Sequence, residues 1–145
     1  MKPKSILLIE DNSSDIELAR RAFSKVQIMN ELVVAEDGQE ALDFFLGTGK
    51  HEGRDIKELP ALTLLDLKLP IIDGLEVLRR IRRMDHTKRL PVVILTSSRE
   101  DTDVISSYDL GVNSYIRKPV DFVQFVEAIQ NLGKYWLVLN EPPPQ

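Results

Sequence analysis

The stretch Ala61-Leu-Thr-Leu-Leu-Asp66-Leu-Lys-Leu-Pro70 leaves a chain few ways to fold. A dense apolar run leads into a single carboxylate, and a proline follows four positions later. Such a run reads as a strand buried on both faces, as in a parallel sheet covered by helices. Asp66 then stands at the C-terminal end of a strand, where open α/β sheets bind their ligands. Taken alone, an aspartate ahead of a proline and a glycine is equally well explained as a turn cap. Its weight depends on what the other strand ends carry.

Four more runs can be read the same way. Ser5–Ile9 ends in Glu10-Asp11, and Leu32–Ala35 turns out at Asp37-Gly38. Pro91–Leu95 ends in Thr96-Ser97-Ser98, and the more polar Asn113–Arg117 ends in Lys118-Pro119. Helical stripes lie between them: Ile16, Ala19, Ala22, Phe23, Val26; then Ala41, Leu42, Phe44, Phe45; then Leu75, Val77, Leu78, Ile81. A polar helix over Asp101–Leu110 is closed by Gly111, and a last stripe runs Phe122, Phe125, Val126, Ile129, Leu132. Ser14 with Glu17, Asp37 with Glu40 and Asp73 with Glu76 have the spacing of capping boxes. Gly47–Leu59 shows no period and reads as a solvated loop, with His51 solvated inside it. His86 falls in a polar turn without an assigned role, and Arg79, Arg80, Arg82 and Arg83 read as a solvated helix face, with a surface for an acidic partner as the alternative.

Alternating strands and helices imply an α/β fold with right-handed crossovers. The expectation is a flavodoxin-like, doubly wound, five-stranded parallel sheet in the order 2-1-3-4-5, with helices on both faces. A chain of 145 residues fits one such domain, expected over residues 1–140, with a Pro-rich tail at 141–145 and no output domain. The absence of cysteine excludes disulfides, thiolate metal sites and cysteine nucleophiles. A net charge of −4 argues against general nucleic-acid binding. No run reaches membrane-spanning length and none has the form of a signal peptide, so no membrane and a cytoplasmic location are expected.

In that strand order the ends of strands 1, 3, 4 and 5 share one rim, delivering Glu10-Asp11, Asp66, Thr96 and Lys118. Carboxylates crowded into one crevice repel one another and call for a positive charge among them. An acidic, all-oxygen pocket open to water suits Mg²⁺, which keeps several waters and accepts one or two protein carboxylates. A lysine and a hydroxyl on the same rim can bind the remaining oxygens of a transferred phosphoryl group. A carboxylate can itself be the nucleophile, and Asp66 is central.

Leu7-Leu-Ile-Glu-Asp11, Leu65-Asp66-Leu-Lys-Leu-Pro70 with Asp73-Gly74, Thr96-Ser97 and Tyr115-Ile-Arg-Lys-Pro119 resemble the receiver domain of two-component response regulators. The resemblance spans Ser5 to about Leu132. It implies that a histidine kinase phosphorylates Asp66. It also implies that Asp11 binds Mg²⁺ directly, Glu10 through water and Lys68 through its backbone carbonyl. Thr96 and Lys118 would hold the phosphoryl oxygens, with Tyr115 at the switch-aromatic position. The longer Gly47–Leu59 loop and the ending Gly133-Lys-Tyr-Trp-Leu-Val-Leu-Asn140 resemble those of the small stand-alone regulators that partner phytochrome kinases.

Two other readings compete. A Mg²⁺-dependent phosphatase of the haloacid-dehalogenase type needs a carboxylate two positions after its nucleophile, where this chain has Lys68. A flavodoxin-like FMN carrier needs a phosphate cradle after strand 1, where Glu10-Asp11 would repel an anion. Lys68 and Ser98 flank the expected path of hydrolytic water without a group to orient it, which implies an acyl phosphate lasting minutes or longer. Tyr135-Trp-Leu-Val-Leu139 has more apolar surface than one helix face can hide; it either folds back within the monomer or, the sharper reading, builds a symmetric homodimer from the Asn113–Arg117 strand, its flanking helices and the Trp136 segment.

Overall fold

The computed structural model describes residues 4–27, 30–97, 101–118 and 121–133. The expected architecture is the observed one. Strands β1 (Ile6–Ile9), β2 (Leu32–Ala35), β3 (Leu62–Leu65), β4 (Val92–Thr96) and β5 (Ser114–Arg117) form one parallel sheet in the order β2-β1-β3-β4-β5. Helices α1 (Ser13–Lys25), α2 (Gly38–Leu46), α3 (Gly74–Arg83) and α4 (Asp101–Asp109) supply the crossovers, and α5 (Phe122–Gly133) follows β5. Ser98, the Tyr135–Leu139 run and the Pro-rich segment at 141–145 lie outside the described residues.

The unbroken apolar runs follow from burial on both faces. Along β1 and β4, alternate side chains go to opposite layers. Leu7, Ile9, Val92 and Ile94 pack toward α2 and α3, against Leu42, Phe45, Val77 and Ile81. Ile6, Leu8, Val93 and Leu95 pack toward α1 and α5, against Ala22, Phe23, Phe125 and Ile129. Each such fully buried side chain contributes about 1.5–3 kcal/mol.

Several local expectations change. Helix α1 begins two residues earlier than a Ser14 cap implies, because Asn12 takes the capping position and its side chain accepts from the Asp15 backbone N–H at 3.0 Å. Asp37 and Asp73 do cap α2 and α3, each accepting from the N–H three residues on. Residues 47–59 are more than solvated coil. They hold a short 3₁₀ turn at Gly49–His51, and His51 is half-buried with Nε2 3.3 Å from Glu40 and its ring edge-on to Phe44. Arg54 stacks its guanidinium 3.6 Å from the Phe44 ring centroid. Loop residues with planar groups were thus recruited to cover an aromatic that α2 alone leaves open.

His86 also has a partner, its Nε2 lying 2.9 Å from the Phe45 carbonyl oxygen. Arg82 leaves the basic helix face altogether. Its guanidinium donates to the carbonyls of Lys88, Leu90, Leu110 and Gly111, tying α3 to the chain before β4 and after α4. Phe122 stays exposed at the start of α5, since Phe125 and Ile129 alone reach the core fully.

Candidate functional site

The strand register sets the rim. The Asp66 N–H donates to the Ile9 carbonyl at 3.0 Å, aligning the ends of β1 and β3. The Lys118 N–H donates to the Thr96 carbonyl at 2.9 Å, aligning the ends of β4 and β5. Glycine matters at one point here: a Cβ on Gly74 would stand 2.3 Å from the Asp66 carbonyl oxygen and 2.5 Å from the Leu67 Cα. The N-terminus of α3 can therefore pass against the acceptor's backbone only without a side chain.

Carboxylate oxygens of Glu10, Asp11 and Asp66 lie within 4.8 Å of one another. Glu10 and Asp66 are buried and Asp11 is exposed, so the cluster opens to solvent on Asp11's side. Asp66 is held by both oxygens: Oδ1 accepts from the Lys68 backbone N–H at 3.1 Å, and Oδ2 accepts from Lys118 Nζ at 3.0 Å. Glu10 accepts from the Asn12 N–H at 3.2 Å and pairs with Lys118 Nζ. The positive charge demanded by these carboxylates is thus present in the chain itself, as Lys118.

Lys118 also donates to Asp15 Oδ2 at 2.8 Å. Sequence reasoning missed Asp15. The available signal was its place in the first turn of the helix that follows Glu10-Asp11, where an acidic side chain is favoured and returns toward the strand end. Burial pushes the Glu10 carboxyl up to about 7, partly offset by its bond to Lys118 and reinforced by the charge on Asp66. Burial works against the Lys118 charge, yet the bonds to Asp15 and Glu10 and the nearby Asp66 hold its pKa above the ordinary lysine value.

Thr96, the last residue of β4, is fully buried. Tyr115 is half-buried on β5 beside Ile94, packed on the α2/α3 side, with the Arg117 guanidinium 5.6 Å from its ring centroid. The Lys68 side chain extends toward Asp103 of α4, with Nζ 3.9 Å from the carboxylate. Every predicted rim residue is therefore at the C-terminal edge of the sheet. The structure brings Glu10, Asp11, Asp66 and Lys118 together and adds Asp15.

Donor chemistry favours a hard cation. Among the described residues, three carboxylates without sulfur or imidazole converge on one solvent-open point, which fits Mg²⁺.

Comparison with known proteins gives a consistent picture. The family described as the response regulator receiver domain matches residues 6–130. Response regulator Rcp1 of Synechocystis is 39% identical over 135 residues, covering 93% of this chain and 90% of that protein. The crystal structure of the Mn²⁺-bound form of Rcp1 superposes with a TM-score of 0.85 at 38% identity, covering 98% of this chain and 100% of the other. The phosphorylated cyanobacterial phytochrome response regulator RcpA gives a TM-score of 0.86 at 37% identity, covering 98% and 99%. The bacteriophytochrome response regulator AtBRR is 52% identical with a TM-score of 0.74, covering 97% and 100%.

Proposed function

Because the chain belongs to the response regulator receiver family, we propose that it takes a phosphoryl group from a phosphohistidine of a sensor kinase onto Asp66. The observation that carries this reading is the meeting of Asp66 with Glu10, Asp11 and Lys118 at one open sheet edge. An Asp66 carboxylate oxygen forms the new P–O bond while the donor's P–N bond breaks, and the departing imidazole keeps or gains a proton. Lys118, already 3.0 Å from Asp66, is placed to follow the charge onto a phosphoryl oxygen. Thr96 supplies a hydroxyl from the neighbouring strand end, and Tyr115 on β5 is the ring that answers its movement.

Mg²⁺ is the cofactor of this reading, and Rcp1 with Mn²⁺ is a relative in which a divalent ion is bound. Asp11 and Asp66 would hold the ion directly, Glu10 through water, and Lys68 through its carbonyl. When bound, the ion neutralises charge on the phosphoryl oxygens. The receiver family is one of phosphoacceptors rather than turnover enzymes, so the phosphatase and FMN readings give way. Self-dephosphorylation is slow in this account, since neither Lys68 nor Ser98 offers a group that orients water.

The donor we propose is a phytochrome-type histidine kinase, by likeness to RcpA and AtBRR. Alignment along 90% of Rcp1 supports action as a stand-alone regulator. Exposed Tyr108 on α4 and the apolar Tyr135–Leu139 run support a homodimer on the β5 side. No helix among the described residues is long and apolar enough to cross a membrane, in keeping with action in the cytoplasm. Nucleic acid is not a partner in this account. The test is phosphotransfer from purified, autophosphorylated kinases. Transfer within seconds from a phytochrome kinase is expected, and transfer from none of the source organism's kinases would overturn the reading.

A further inference from the structure

Lys118 has three N–H donors, and in this structure they meet three carboxylates: Glu10, Asp15 and Asp66. Two of these, Glu10 and Asp66, also belong to the group of oxygens that converge within 4.8 Å, whereas Asp15 does not. The lysine and a divalent ion therefore draw on the same two carboxylates. Two cations so close repel strongly in a partly buried site, so the ammonium needs an anion of its own when the ion is present. Asp15 is that anion. Its Oδ2 is 2.8 Å from Nζ, and its backbone is fixed by the bond from its N–H to the Asn12 side chain. A first-turn position at the N-terminus of α1 favours its charge.

We infer that Asp15 is a positioning residue that holds the Lys118 ammonium beside the site while a divalent ion occupies the Glu10, Asp11 and Asp66 cluster. The inference rests on the metal-dependent reading above. Without Asp15 the ammonium leans wholly on Glu10 and Asp66 and competes with the ion. With Asp15, the lysine stays within reach of the acceptor but is not forced to share its carboxylates. The lysine is then ready to move onto a phosphoryl oxygen without crossing the site.

The test is a double-mutant cycle read by calorimetric titration of the metal-free protein with Mg²⁺ alone. Asp15→Asn should weaken Mg²⁺ binding about fivefold when Lys118 is present and less than about twofold in a Lys118→Met background. Asp15→Glu should restore most of the affinity. Equal losses in both backgrounds would mean that Asp15 acts simply by its charge on the ion, and no loss in either would mean that it does not act; both overturn the inference. Should Lys118→Met not fold, judged by its circular dichroism, Lys118→Gln completes the cycle. Asp11→Asn reports on the underlying reading separately: if it binds Mg²⁺ as the parent does, the metal site itself is misassigned.

Discussion

Lys118 Nζ stands 3.0 Å from Asp66 Oδ2, joining the end of β5 to the end of β3 past the intervening strand β4. The contact spans 52 positions in sequence. It makes the acceptor carboxylate part of a charged network whose balance changes when Asp66 gains a phosphoryl group. Glu10, Asp15 and Asp66 share one ammonium, so the uncomplexed site carries an excess of negative charge.

Burial of Glu10, reinforced by the charge on Asp66, sets a pH dependence. Glu10 has a folded-state pKa of about 7 against an ordinary 4.5, raised mainly by burial. A carboxyl shifted upward stabilises the fold in its protonated form, so its contribution is full below the unfolded value and is lost as pH rises through the folded value. In chelator-treated protein, the parent should lose stability relative to Glu10→Gln between about pH 5 and about pH 8, by at most about 3 kcal/mol. Urea unfolding at a series of pH values measures this. A parent–variant difference that stays constant across the range would refute it.

Gly74 ties the site to the backbone. A methyl group there would sit 2.3 Å from the Asp66 carbonyl oxygen, closer than any relaxed contact. Gly74→Ala should cost about 2 kcal/mol or more and should also weaken Mg²⁺ binding, because the Asp66 backbone must shift. Denaturation and titration of the same preparation check both. A stable variant with parental affinity would contradict the packing described.

The fold was readable in the sequence because four of its strands are apolar on both faces, a pattern with few alternatives. Rim residues were readable because each ends a strand: Glu10, Asp66, Thr96 and Lys118 need only the strand order to be brought together. Asp15 was not readable, since it sits inside a helix where an acidic first-turn residue is ordinary. Arg82 was hidden for a different reason. Nothing in a run of arginines tells which one will find four carbonyls from distant segments. His51 and Arg54 were hidden because their partner, Phe44, comes from a helix earlier in the chain.

Arg82 offers a test of that packing. Its fork reaches carbonyls before β4 and after α4, and a lysine cannot reproduce the geometry. Arg82→Ala should destabilise the protein by about 2–4 kcal/mol, and Arg82→Lys should recover less than roughly half of that. Thermal unfolding of both variants gives the answer. Full recovery by lysine would show that charge, not the fork, is what counts.

Ile71 lies in the loop between Asp66 and α3 with φ +71, a left-handed conformation that a β-branched residue resists. Its side chain is 77% exposed, so little packing compensates. Ile71→Gly should stabilise the protein by about 1 kcal/mol. A loss of stability in chemical denaturation would mean that the isoleucine makes a compensating contact.

The central claim is that Asp66 accepts the phosphoryl group in a metal-dependent reaction. Intact mass measurement after incubation with acetyl phosphate and Mg²⁺ tests it most directly. The parent should gain the mass of one phosphoryl group, should gain none when Mg²⁺ is chelated before the reaction, and Asp66→Asn should gain nothing. An undiminished gain on Asp66→Asn would contradict the account.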